Sequence, residues 1–378
     1  MIEKNIANSE QVNTKTRIVS VDVLRGFDMF WLIGGTGFAV AAVKMFGPGV
    51  QEVLLPQLDH AKWIGFTFYD LIFPLFEFVM GMSIVFSLST ILKKDGKTAA
   101  YKRLLRRFVL LFILGIIYYG GISEGWSNVR IFGVLQRLAV TYLFAGILFI
   151  HFKPRGVAVI SAAILIAYWI LNVFVSVPGI GKISMTPEYN WAQYIDSVFL
   201  PGRKFGADGT WDILGILSTF PAIVSCTIGI FASLILLDGG KTEYKKVYYL
   251  VGLGIALLLV GLAGSVSFPI IKKIWSSTYV LVSGGLSFML MGLFYWFIDV
   301  LGYKKWTLVF VWIGVNPITI YMLRKLMDFN KLASFMVGGT TDSKSPDHWG
   351  YFLVMTVSML LSLLFLRFLY NRKIFIRV

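Results

Sequence analysis

Long apolar runs recur along this chain from end to end, separated by short polar stretches and by no polar linker long enough to divide it into separate domains. A helix that crosses the hydrocarbon layer of a membrane needs about 20 mostly apolar residues. On that measure helices are predicted near residues 23–45, 64–92, 103–123, 131–151, 156–177, 211–237, 247–268, 277–301, 306–327 and 349–370. The pattern therefore predicts an all-α fold: one polytopic helical bundle of about ten transmembrane helices, with residues 1–378 forming a single membrane domain. The leading MIEKNIANSEQVNTKTR is polar and lacks an apolar core ending in a small-residue cleavage site, so no removable signal peptide is expected.

Composition agrees with the pattern, since 57% of residues are hydrophobic and only 15% charged. The formal charge of +15 would suggest a nucleic-acid binder in a soluble protein. Here it is first a matter of topology, because Lys and Arg gather in cytoplasmic loops. With the N-terminus inside, 21 of the 35 basic residues fall in inner segments and 12 in outer ones. Both termini are thus expected to be cytoplasmic, with the lipid bilayer and no nucleic acid as surroundings. The densest cluster runs from Lys93 to Arg107 and suits anionic lipid headgroups or a phosphorylated ligand. Cys226 is the only cysteine and lies in an apolar run, so neither an internal disulfide nor a cysteine metal cluster is available. No P-loop or HExxH motif occurs, no GxSxG nucleophile elbow between strand and helix is evident, and no metal site is expected.

The candidate chemistry sits where polar groups enter these apolar runs, because an unpaired charge at membrane depth costs several kcal/mol. In SVDVLRGFDMF, Asp22, Arg25 and Asp28 are three apart, a spacing that lets the arginine meet both acids on one helical face. The stretch LDHAKWIGFTFYDLIFPLFEFVMGMS places His60 in an outer loop, with Asp70 and Glu77 inside the apolar run that follows. RIFGVLQRLAVTY carries Gln136 and Arg137, at a depth that predicts an Asp70 to Arg137 ion pair. Asn316 precedes a helix-breaking proline in WIGVNPITIY. A histidine beside a carboxylate suits general-base work near neutral pH, and it also suits acyl transfer as a nucleophile. His348, in the other polar outer loop, has no buried carboxylate following it and is the weaker candidate. The outer connection from about Pro178 to Thr210 and its flank carry Tyr189, Trp191, Tyr194 and Trp211, a mixture that fits sugar stacking or the membrane interface. Buried charges alone fit an enzyme site, a helix-locking salt bridge, or the path of a transporter or flippase for a polar glycan or lipid precursor. The two halves share no repeat, which disfavours an inverted-repeat carrier.

Several stretches taken together resemble one known family. RIVSVDVLRGFDM, DHAKWIGFTFYDLIFPLFEFVMGMS, VRIFGVLQRLAVTY, LPGRKFGADGTWDILGILSTFPAIVSCTIGI, FPIIKKIWSSTYVLVSGGLSF and GVNPITIYML are similar to the heparan-alpha-glucosaminide N-acetyltransferase family and its bacterial relatives, in order from about Arg17 to Tyr321. The resemblance implies a transmembrane acyltransferase that takes acetyl from cytosolic acetyl-CoA and passes it to an acceptor on the far side, an amino sugar or glycan. It implies that His60 is the catalytic histidine, with Asp70 beside it, and it suggests a homodimer. The chain lacks the large lumenal domain and extra leading helix of the animal enzyme, so its acceptor need not be heparan sulfate. Under this resemblance the phosphates of acetyl-CoA are expected near Arg25 and the Lys93 to Arg107 cluster, with Asp28 a further residue expected to bind the cofactor. Gln136, Arg137 and Asn316 are expected along its arm, with Gln136 or Asn316 as a hydrogen-bond donor to the thioester carbonyl.

Overall fold

The computed structural model describes residues 18–121, 123, 125–206 and 209–374, so Lys4, Lys15, Arg17 and Arg377 of the charge comparison lie outside the described residues. Apolar runs without strand alternation become helices because, in lipid, only a helix or a closed barrel satisfies every backbone group internally. Among the described residues there is no named strand, only an isolated bridge between Val177 and Lys182. The long helices are α1 (Val19–Val43), α3 (Phe68–Lys94), α5 (Val134–His151), α6 (Pro154–Phe174), α8 (Ile216–Leu236), α9 (Glu243–Gly264), α10 (Ser277–Val300) and α14 (His348–Asn371). Among the described residues these eight are long and apolar enough to cross a membrane, and the pair α11 (Lys305–Val315) and α12 (Pro317–Leu326), bent by 66° at Asn316, is either a broken ninth span or a re-entrant loop. Pro317 causes the break, since it has no N–H to continue the ladder. The tenth expected helix is present as α4 (Gly96–Tyr118). Its first half carries Lys97, Lys102, Arg103, Arg106 and Arg107, which leaves an apolar remainder too short to span on composition alone. The shorter helices are α2 (Pro48–Leu54), α7 (Trp191–Phe199) and α13 (Phe329–Val337).

The chain divides into two compact units. The first comprises Lys62–Phe66 and Phe73–Leu293 among the described residues. Its centre is α8, which packs against α5, α6, α7 and α9. The approach of α3 to α8 is close enough to require glycine on both helices. A Cβ on Gly81 would stand 1.8 Å from the carbonyl oxygen of Cys226, and one on Gly229 would stand 1.8 Å from that of Phe78. Small residues that admit such backbone contact drive helix association where no hydrophobic force separates helix from lipid.

The second unit comprises Arg17–Ala61, Thr67–Ile72 and Phe294–Val378, less the undescribed ends. Here α1 packs against α11 and α14. The carboxylate of Asp299 accepts the backbone N–H groups of Val19 and Ser20 at 3.2 and 3.0 Å and so satisfies two orphan donors at the start of α1. Midway, α1 loosens into a π-turn over Trp31–Gly35 with Gly34 at φ 131°. Arg324 of α12 donates to the carbonyl of Ile33 inside that turn, and to Ser362 Oγ at 3.1 Å.

Candidate functional site

His60 lies in the second unit, after a short 3₁₀ turn at Leu55–Leu58. Its Nδ1 is 2.8 Å from Asp70 Oδ1, with the His60 side chain half-exposed and that of Asp70 fully buried. The pairing follows from local structure. Thr67 caps the turn that opens α3, and Asp70, three residues on, reaches back to accept the Thr67 N–H at 3.1 Å in a capping box. The same carboxylate oxygen accepts the N–H of Ala61 at 3.2 Å. Asp70 is thereby fixed by two backbone donors before it meets the imidazole. A carboxylate held in this way accepts the proton on Nδ1, which leaves Nε2 as the nitrogen with a lone pair.

The histidine is steadied from two further directions. Its backbone N–H donates to Asp59 Oδ1 at 2.7 Å. Its ring stacks on Tyr69, with centroids 4.7 Å apart and planes 25° from parallel, and Tyr69 in turn hydrogen-bonds Thr36 of α1. Tyr69 was not foreseen from the sequence.

The other acidic and basic positions of this unit are arranged differently from expectation. Arg25 Nη1 lies 3.5 Å from both Asp22 Oδ1 and the carbonyl of Gly314. It does not bridge to Asp28, whose two carboxylate oxygens are buried and have no hydrogen-bond partner. The reason is orientation: Asp28 turns fully inward, whereas Arg25 and Asp22 keep side-chain exposures of 24% and 18%. Asn316 is buried and its Nδ2 donates to the carbonyl of Ile374 at 2.9 Å. His348 is exposed and forms no ion pair among the described residues.

The catalytic region of the heparan-alpha-glucosaminide N-acetyltransferase family matches residues 17–261. The chain belongs to this family. Proteins named heparan-alpha-glucosaminide N-acetyltransferase from Mus musculus and Homo sapiens are each 28% identical to it, over 85% and 96% of this chain. The chain spans 56% and 60% of those relatives' lengths. The family match includes the His60–Asp70 stretch in full and all of the residues described next except Phe268 and Trp275.

Gln136 and Arg137 belong to the first unit and are fully buried. Asp70 and Arg137, expected to pair, fall in different units, and within its own unit Arg137 hydrogen-bonds Ser218 and lies 4.7 Å from the centre of the Trp275 ring. The leading opposite charge acting on it there is that of Glu77. Gln136 Nε2 donates to the carbonyl of Arg130 at 3.3 Å, while its Oε1 has no partner.

A knot of charge that the sequence did not reveal closes the outer connection. Arg130 grips Asp212 with two hydrogen bonds of 2.8 Å and lies between the rings of Tyr119 and Phe205. Asp212 also accepts the N–H groups of Phe205 and Leu214. Asp196, on α7, accepts those of Asp212 and Ile216 at 3.2 and 2.9 Å. Burial lifts the Asp196 carboxyl to about 6, against the opposing pull of those two donors. Trp211 is 1% exposed and packs with Tyr168, Ala192 and Phe268, so it belongs to the core and not to a sugar-stacking surface.

Proposed function

We propose that the protein is a membrane acetyltransferase that moves acetyl from acetyl-CoA, entering from the cytoplasmic side, to an amine or hydroxyl of an amino sugar or glycan on the opposite side. The observation that carries this reading is the His60–Asp70 pair, a half-exposed imidazole held by a buried carboxylate that two backbone N–H groups have already fixed. In this reading Asp70 keeps the proton on Nδ1, and His60 Nε2 takes the proton of the attacking nucleophile or itself attacks the acyl carbon. Family membership adds support, since the curated relatives carry an N-acetyltransferase name.

Acetyl-CoA supplies an acetyl group already activated as a thioester. Its phosphates are suited by Arg25 and by the cations Lys93, Lys94, Lys97, Lys102, Arg103 and Arg106. Buried groups with unmet hydrogen bonds, Asp28 in the second unit and Gln136 and Arg137 in the first, are each proposed as contacts for the donor. Asn316, its amide donating to Ile374, is proposed as a further donor contact within the second unit. Both termini are cytoplasmic, the membrane is a bacterial inner membrane, and the enzyme acts as a homodimer.

Purified protein incubated with labelled acetyl-CoA and a panel of acceptors, from glucosamine to cell-envelope glycans, tests the proposal. His60→Ala is expected to abolish transfer while CoA still raises the melting midpoint, as any ligand of the native state must. Asp70→Asn is expected to lower kcat by at least about 100-fold, because it frees the imidazole tautomer. Full turnover in His60→Ala overturns the histidine assignment. Failure of both acetyl-CoA and CoA to stabilise the wild type overturns the donor and favours a transport role for the same buried charges.

A further inference from the structure

Glu77 on α3 and Arg137 on α5 are both fully buried in the first unit. Each lies within the electrostatic field of the other, yet they form no ion pair within 4.0 Å. Nε and Nη1 of Arg137 have no hydrogen-bond partner, and the Glu77 carboxylate, with the Ser225 hydroxyl as a polar neighbour in reach, keeps lone pairs unmet on its oxygens. Two opposite charges at membrane depth normally close on each other, since each bare group costs several kcal/mol. Here something holds them apart.

The surroundings of the pair are rigid. Ser218 on α8 takes one nitrogen of the guanidinium, and the Trp275 ring lies 4.7 Å from its carbon. Trp275 is itself fixed through Nε1 to Ser225 Oγ at 3.2 Å. Two of the helices involved carry proline without breaking: Pro74 lies in the first helical turn of α3, three residues before Glu77, and Pro221 stands inside α8 between Ser218 and Ser225. Pro221 has no N–H to offer the carbonyl of Leu217, so the helix ladder has one unmet acceptor beside Ser218.

The unmet groups are complementary in kind. Glu77 offers two acceptors and Arg137 two donors. An ammonium would satisfy the first and repel the second, and a phosphate would do the reverse. A secondary amide satisfies both, N–H to Glu77 and C=O to Arg137, and being neutral it leaves the charge balance unchanged. We propose that Glu77 and Arg137 form a socket for a secondary amide, and that its occupant is an amide of the pantetheine arm of the acyl donor. This rests on acetyl-CoA being the donor. The acetamido group of an N-acetylated product has the same chemistry and is separated from the donor arm by the test.

The test is direct binding to the purified full chain, with CoA, pantetheine, adenosine 3′,5′-bisphosphate and N-acetylglucosamine as probes. The wild type is expected to bind CoA and, more weakly, pantetheine and the bisphosphate. In Glu77→Gln, nearly the same in volume, and in Glu77→Met, affinity for CoA is expected to fall at least tenfold and that for pantetheine to be lost, with the bisphosphate unchanged. Arg137→Met is expected to match; where it fails to fold, the two Glu77 variants carry the test. Unchanged CoA affinity in both Glu77 variants overturns the socket, and so does an equal loss for CoA and the bisphosphate. Loss of N-acetylglucosamine binding with pantetheine binding retained overturns the donor as occupant. A wild type that binds no CoA, pantetheine or bisphosphate fails the donor reading itself, an outcome read before any variant is compared.

Discussion

A single imidazole depends on three neighbours of different kinds, and they contribute separately. Asp70 sets the tautomer, the Asp59 carboxylate holds the backbone, and the Tyr69 ring limits rotation. Replacing Tyr69 with Leu removes only the last of these. The expected result is a fall in kcat of about tenfold with KM within about twofold, a loss of orientation and not of binding. Tyr69→Phe is expected to restore most of the rate, and equal losses in both variants would show that the hydroxyl, not the stack, matters. His60 and Asp70 stand out in the sequence because a carboxylate inside an apolar run is too costly to keep without a partner, and a histidine motif just before it supplies one. Tyr69 does not, because an aromatic ring at the mouth of a span reads equally well as an interface anchor. Arg130 and Asp212 were hidden for a related reason: they are 82 residues apart, in connections where charge is commonplace. Asp196 offers a test of that knot by pH. Its folded carboxyl titrates near 6 and an unfolded one near 3.9, so the folded state binds the proton more tightly. Stability from this group is therefore greatest below about pH 4 and declines as pH rises to about 6. Asp196→Asn is expected to flatten that stretch of the melting-midpoint profile relative to wild type.

Helices α3 and α8 show how far a hydropathy pattern reaches. It located both within a few residues because their apolar runs are long. It was silent on their contact, which depends on two glycines that contribute nothing to hydropathy. A leucine at Gly81 or Gly229 must push the helices apart, since the atom a Cβ would strike is backbone and cannot rotate away. Either substitution is expected to cost at least about 1–3 kcal/mol, the usual range for overpacking, and to lower the melting midpoint. Gly252→Ala on α9, where a Cβ meets nothing within 4 Å, is the matched control. It is expected to be neutral or stabilising by up to about 1 kcal/mol. α4 is the converse case. Its helix forms as expected, but five cations in its first half separate helical length from apolar length.

For the whole molecule, orientation is the property that the charge asymmetry predicts and that the proposed reaction requires. Cys226 is fully buried, so the wild type is expected to be silent to a membrane-impermeant maleimide. Glu52→Cys, at an exposed position eight residues before His60, is expected to label in intact cells. Lys97→Cys, exposed at the start of α4, is expected to label only after permeabilisation. Labelling of both from the same side would remove the basis for transfer across the membrane. The all-helical membrane fold was legible because eight helices each carry their own apolar length, whereas the expected count of about ten was not matched, α4 being too charged and α11–α12 bent. The division into two units was not, because it runs through α3 and α10, each a single uninterrupted apolar run.

The π-turn at Trp31–Gly35 gives α1 one residue more than a regular helix would use over the same rise. Everything after it is therefore turned by about 100° from the direction an unbroken α-helix would give. Thr36 is the first residue affected, and it is the group that meets Tyr69 beneath His60. Deleting Gly34 would leave a regular, equally apolar span of almost the same length, with Thr36 rotated away from the phenol. The angular setting of the imidazole is thus written in a single surplus residue on another helix, where a change that preserves composition, length and hydropathy alike would still put the ring out of register.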